Sequence, residues 1–148
     1  MAKINRFEDI EAWQMARELT VNIYQITCKE EFGRDYGMKD QIRRASVSIM
    51  NNIAEGFERG SNMDFAKFLY ISRGSAGEVR SLLYIAKDLG YISEDEFEQN
   101  KEFCCRIGGA LWGLIKYLKK TGNLTTKLSM LFFGMLFGLP WVSNSSAL

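Results

Sequence analysis

The sequence predicts an all-α protein: an antiparallel, up-down-up-down four-helix bundle with an apolar C-terminal tail. Three observations lead there. Four segments repeat apolar residues every three or four positions, which places those residues on one face of an α-helix. The 148 residues include a single proline, and long helices tolerate proline badly. The segments are joined by short connections, which make successive helices antiparallel neighbours. The length suits one domain able to bury a core without disulfides or metals. With 47% apolar and 25% charged residues, the composition is that of a globular chain rather than a disordered one.

The first helix is expected over residues 7–27, with Ile10, Trp13, Ala16, Leu19, Ile23 and Ile26 on one face. Asn5 is its expected N-cap. The segment Lys29 to Gly37, with two glycines, breaks the pattern and is read as the first connection. The second helix is expected over residues 35–59. Met38, Ile42, Ala45, Ile49 and Ile53 form one seam, and Val47, Met50, Ala54 and Phe57 lie on an adjacent face. Two apolar faces imply more than one neighbour. Asp40 with Arg44, and Glu55 with Arg59, are acid-first pairs four residues apart.

Gly60, Ser61 and Asn62 lead into a third helix over residues 63–89, with its seam at Phe65, Leu69, Ser72, Ala76, Val79, Leu83 and Ala86. Gly74 and Gly77, in mid-helix, are expected to permit close helix approach rather than to cradle phosphate. Gly90 sits where a left-handed C-terminal cap belongs. Ser93 and Glu96 form a capping box that opens the fourth helix. Its seam is Phe97, Cys104, Ile107, Leu111, Leu114 and Leu118, and it is expected to stop at Thr121 and Gly122. The domain division is thus 1–122 for the bundle and 123–148 for the tail. Residues 128–142 carry no charge but are too few to span a bilayer, which takes about 20. That tail is read as a helix docked on the bundle or a neighbouring subunit, as a membrane-surface or partner anchor, or as an extension without a packed role. Gly134 and Gly138 form a GxxxG that carries meaning mainly in a full membrane helix.

The chemistry is limited by what is missing. The chain has no histidine, so Ser/His/Asp and Cys/His catalysis and Glu-x-x-His di-iron sites are excluded. No phosphate-binding glycine motif and no zinc-ligand spacing is present, and no cofactor or metal is expected. The three cysteines, Cys28, Cys104 and Cys105, show no disulfide framework, which points to a reducing compartment. Cys104 is read as a small buried hydrophobe. The N-terminus lacks the apolar stretch of a signal peptide, so the cytoplasm is expected. A net charge of +1 gives no bulk signal for phosphate binding, though it leaves a local patch open.

Polar residues interrupt the apolar faces of the second and third helices. Asn51, Glu55 and Arg59 follow at four-residue spacing, and Arg73 and Glu78 are placed to face them. Unpaired buried charges cost several kcal/mol, so a paired network is expected, structural or at a subunit interface. The alternative is a ligand or RNA-contact site.

The run Gln41, Ile42, Arg43, Arg44, Ala45, Ser46 through Asn51, Asn52, Ile53, Ala54, Glu55, Gly56, Phe57, Glu58, Arg59 resembles the signature of the four helix bundle proteins, also called 23S ribosomal RNA intervening-sequence proteins. Phe68 to Glu78, containing Arg73, Gly74 and Ser75, adds to the likeness, as do Phe7, Ile10 and Trp13 and the turn Leu89, Gly90, Tyr91, Ile92. It covers roughly residues 5–121. The resemblance implies the same bundle, ring-shaped pentamers, and no enzymatic activity; a distantly similar group is the accessory variability proteins of diversity-generating retroelements, which bind nucleic acid and a reverse transcriptase. It singles out Arg44, Asn52, Glu55, Arg59, Arg73 and Glu78 as interface or polar-network positions. The functional expectation is a non-enzymatic homo-oligomeric scaffold, associated with a ribonucleoprotein. The alternatives are direct RNA binding through Arg43, Arg44, Lys116, Lys119 and Lys120, and membrane association through the tail.

Overall fold

The computed structural model describes residues 4–137, with side chains through residue 121. The described residues are helical throughout and contain no strand. A 3-10 turn at Phe7–Asp9 precedes α1 (Glu11–Ile26), the single-turn α2 (Glu30–Arg34), α3 (Tyr36–Glu58), α4 (Asn62–Asp88) and α5 (Glu94–Phe137). The four long helices pack on one another: α1 on α3 and α5, α3 on α4, and α4 on α5.

Two starts differ from the expectation. Asn5 does not cap α1; Ile10, extended and buried, precedes Glu11 without a side-chain cap. Entry is fixed instead by packing, with Phe7 edge-on to Trp13 at 5.2 Å and the Gln14 side chain donating to the Glu8 carbonyl at 2.9 Å. The first connection is not featureless either. Phe32 is fully buried and stacks on Tyr91 at 5.1 Å, which anchors the turn of α2 despite Gly33.

The other caps follow the sequence. Asp35 accepts from the Met38 amide at 3.0 Å and Ser61 from the Asp64 amide at 3.4 Å. Gly90 has φ +75°, while its amide bonds the Lys87 carbonyl and that of Tyr91 bonds Ala86. Those two bonds satisfy the last carbonyls of α4 in a Schellman motif. The capping box at α5 is reciprocal: the Ser93 amide donates to Glu96 Oε2 at 2.9 Å and the Glu96 amide to Ser93 Oγ at 3.3 Å. Lys29 Nζ, just past α1, lies 2.5 Å from the Glu96 carboxylate and ties the start of α5 to the end of α1.

At the other end, α5 does not stop at Thr121 and Gly122. It runs to Phe137, so the expected domain division at 122 falls inside a helix. One interior glycine costs about 1 kcal/mol against alanine and does not by itself end a helix; the single proline comes later, at Pro140. The side chains of 128–142, and with them the GxxxG of Gly134 and Gly138, lie outside the described residues.

The seams are as read. Leu19, Ile23, Ile42, Ile49, Ile53, Leu69, Leu83, Ile107 and Leu111 are fully buried, and Ile115 joins them. Contacts run in opposite order along paired helices. Across α3 and α4, Gln41 meets Glu78, Ser48 meets Ser75, and Gly56 meets Phe65 and Phe68. The close approach assigned to Gly74 and Gly77 is not there, since a Cβ on either would meet nothing within 4 Å. It occurs at Gly56, where a Cβ would stand 2.6 Å from Phe68 Cβ and 3.0 Å from Phe65 Cδ2. Buried hydroxyls use main-chain acceptors: Ser72 donates to the Ile49 carbonyl at 2.8 Å, and Thr20 to those of Ala16 and Ser46.

Two outcomes follow. Gly56→Ala should lose about 1–3 kcal/mol through overpacking, whereas Gly113→Ala, in open space, should gain about 0.5–1 kcal/mol; urea unfolding checks both. Burial raises the Glu96 pKa, but the bonds from Lys29 and Ser93 outweigh it and hold the group below the usual carboxylate range. Its contribution is therefore present above the unfolded value and lost as pH falls through the lower folded one. Glu96→Gln should cost about 1 kcal/mol at neutral pH. That gap should close below a pH of about 4, which melting curves across pH will show.

Candidate interaction surfaces

The expected polar network is present only in pieces. Asn51, Glu55, Arg59, Arg73 and Glu78 are exposed rather than buried. On the α3–α4 side, Arg44 Nη2 donates to Gln41 Oε1 at 2.9 Å, and Gln41 Nε2 in turn donates to Glu78. Arg44 thus turns to Gln41 and, through it, to Glu78, rather than to Asp40. One turn on, Asn52 donates to the Ser48 carbonyl at 2.7 Å and to its hydroxyl at 3.0 Å, and that hydroxyl shares a bond with Ser75 at 2.9 Å. Glu55 and Arg59 pair at 2.6 Å as the spacing predicts, with the guanidinium 4.5 Å over the Phe68 ring.

Arg73 does not join them. Its guanidinium packs over Trp112 of α5 at 5.1 Å. The reason is helical geometry: five residues separate it from Glu78, a rotation of roughly 140°, so the two cannot face one neighbour. The positions that the resemblance singles out are therefore divided between two faces, with Arg44, Asn52, Glu55, Arg59 and Glu78 on the α3–α4 side and Arg73 on the α4–α5 side.

The proposed nucleic-acid contacts divide as well. Arg43 is half-buried and serves as a clamp between α3 and the last turn of α1. Its Nε donates to Thr27 Oγ1 at 2.8 Å and its Nη2 to the Tyr24 carbonyl at 3.4 Å, while the guanidinium lies 4.5 Å over the Tyr24 ring. Beside it an open cleft of about 560 Å³ between α1 and α3 is lined by Tyr24, Asp40, Arg44, Val47 and Asn51.

Lys116, Lys119 and Lys120 lie on α5, and all three are exposed. Lys119 Nζ donates to the Tyr70 hydroxyl at 2.9 Å, and Lys116 Nζ sits 5.9 Å from Trp112. Tyr70 and Trp112 meet edge to face at 6.4 Å across the α4–α5 groove. Gly74, Gly77, Gly108 and Gly109 form part of its lining and leave it open. Arg80 Nη1, from α4, approaches Cys105 Sγ at 3.5 Å, a cation that sequence spacing alone does not place beside the cysteine pair. Burial pushes the Cys104 thiol up to about 12, in keeping with its seam position. Residue spacing could have grouped Tyr70, Arg73, Gly77 and Arg80 on one face of α4, but their partner face on α5 is a tertiary fact.

Among the described residues no group of three His, Cys, Asp or Glu side chains could hold a metal ion, and no helix is long and apolar enough to cross a membrane.

A family model described as 23S rRNA-intervening sequence protein matches residues 8–113. Among solved structures, a protein of unknown function from the S23 ribosomal protein family of Bacteroides thetaiotaomicron is similar, with 27% identity and a TM-score of 0.66. That match covers 71% of this chain and 98% of the other. No curated protein matches.

The two neighbouring arginines should behave differently. Arg43→Ala should destabilise by about 1–3 kcal/mol, through lost charged hydrogen bonds and ring packing. Arg44→Ala, on the surface, should stay within about 0.5 kcal/mol. Chemical denaturation of both variants checks the contrast.

Proposed function

This chain belongs to the family of 23S rRNA-intervening sequence proteins, and we propose that it works by association rather than catalysis, as a scaffold built from several copies of itself. The frame of that scaffold is the antiparallel up-down-up-down bundle, supported by the opposite order of contacts along its helix pairs.

One observation carries the assembly reading. Apolar side chains stand uncovered on both sides of α3. On the α1 side these are Val21, at 51% exposure, and Tyr24 beside it; on the α4 side they are Ile71, also at 51%, and Ile85. A closed ring assembled head to tail needs two different patches on each subunit. The Arg44–Gln41–Glu78 chain and the Glu55–Arg59 pair border the second patch and would form the polar rim that such interfaces carry. Five copies follow from the family likeness alone, and so does a place in a ribonucleoprotein. Exposed free thiols at Cys28 and Cys105 fit a reducing cytoplasm. Contact with nucleic acid is a second function compatible with this assembly, since it would use different residues, those of the α4–α5 face.

Light scattering on the purified chain should report a stable homo-oligomer of about five copies. Ile71→Glu or Tyr24→Glu should lower the native mass toward that of one chain while the helical circular dichroism stays unchanged. A protein that is monomeric at micromolar concentration sinks the scaffold reading.

A further inference from the structure

The near-balance of charge conceals an uneven distribution. No Asp or Glu follows Glu102, whereas Arg106, Lys116, Lys119, Lys120 and Lys127 do. Ion pairs among the described residues use Arg6, Lys29, Arg34, Arg59, Lys67, Lys87 and Lys101. None uses Arg73, Arg80, Lys116 or Lys119. Those four cations rest on two aromatic rings and a thiol instead. The rings, Tyr70 and Trp112, keep about 40% of their surface in solvent, and no carboxylate lines the groove between them.

Cations without acids along a groove raise the local positive potential and attract polyanions. Exposed rings set among them add a platform on which planar groups stack. We infer that the α4–α5 face binds single-stranded nucleic acid, with phosphates held by Arg73, Arg80, Lys116 and Lys119 and bases stacked on Tyr70 and Trp112. A duplex satisfies the charges but leaves the rings unused, because paired bases offer no free face. An acidic protein surface satisfies the charges without drawing on the flat faces. The open, glycine-bearing walls let a sugar-phosphate backbone come close. Occupation of this face is independent of assembly through the patches beside α3.

The test uses the full chain and labelled oligonucleotides of about 15 nucleotides, a length that covers one such site. Oligouridylate, oligothymidylate and a duplex of equal length are titrated by fluorescence anisotropy between about 50 and 200 mM salt. Both single strands should bind and weaken steeply with salt, and the duplex should bind less tightly. Trp112→Ala should weaken binding about tenfold, and Trp112→Phe should keep most of it. Arg73→Ala and Lys116→Ala should each lower the salt slope by about one. Arg17→Ala, which removes an exposed charge on α1, should change neither quantity. Tighter binding of the RNA strand would mean that the 2′-hydroxyl is read as well; equal binding would mean backbone and stacking alone. Melting temperature and native mass of each variant separate lost binding from lost fold or lost assembly. Absence of binding to both single strands at low salt overturns the proposal. So does a duplex that binds as tightly as the strands, or indifference to both Trp112→Ala and Arg73→Ala.

Discussion

The missing side chain at Gly56 sets how close α3 and α4 can come. With the Phe65 and Phe68 side chains where a Cβ would stand, the two helices approach far enough for small polar residues to bridge them. The Ser48–Ser75 bond and the bond from Ser72 to the Ile49 carbonyl both need that separation. Gln41 and Glu78, with longer side chains, meet at the far end of the same seam. A larger residue at 56 would act as a wedge, and its effect would be felt along the whole pair, because interiors are packed to crystal-like density and transmit displacement.

Charges outside the core are arranged in two ways. Near helix ends, opposite charges meet: Lys29 with Glu96, Lys87 with Glu94, Lys101 with Glu98. The extra acids at the start of α5 also sit at the positive end of its dipole. On the α4–α5 face, cations rest on rings, and among the described residues that line the groove there is no acid. The exposed pairs each contribute little to stability. Their effect is to balance charge around the start of α5, whereas the lining of the α4–α5 groove carries arginines and no acid.

Periodicity made the core legible. The residues assigned to each seam are buried apart from Trp13, Met38 and Leu114, which are half-buried. Capping chemistry is equally local, and Ser93, Glu96 and Gly90 do what their types predict. The misses are tertiary. Phe32 lies between glutamates and a glycine, and its place in the core, stacked on Tyr91 far along the chain, is a tertiary fact. Gly74 and Gly77 invite a close approach because they are small residues in mid-helix, but approach depends on which face meets a neighbour, and Gly56 holds that position. The candidate site was legible as a set of residues and not as an arrangement, since the roughly 140° between their positions sent Arg73 to α5 and left Glu78 with α3.

The turn between α4 and α5 also bears on how the chain folds. A Schellman motif and a reciprocal capping box close both helix ends within a few residues, so little loop entropy is spent in bringing α4 and α5 together. The α1–α5 contact spans far more chain: Lys29 and Glu96 are 67 residues apart in sequence. Local contacts of the first kind form in the early part of folding, and long-range ones must wait for chain closure. The α4–α5 turn is thus cheap to close, whereas the Lys29–Glu96 contact requires a long stretch of chain to be brought together first.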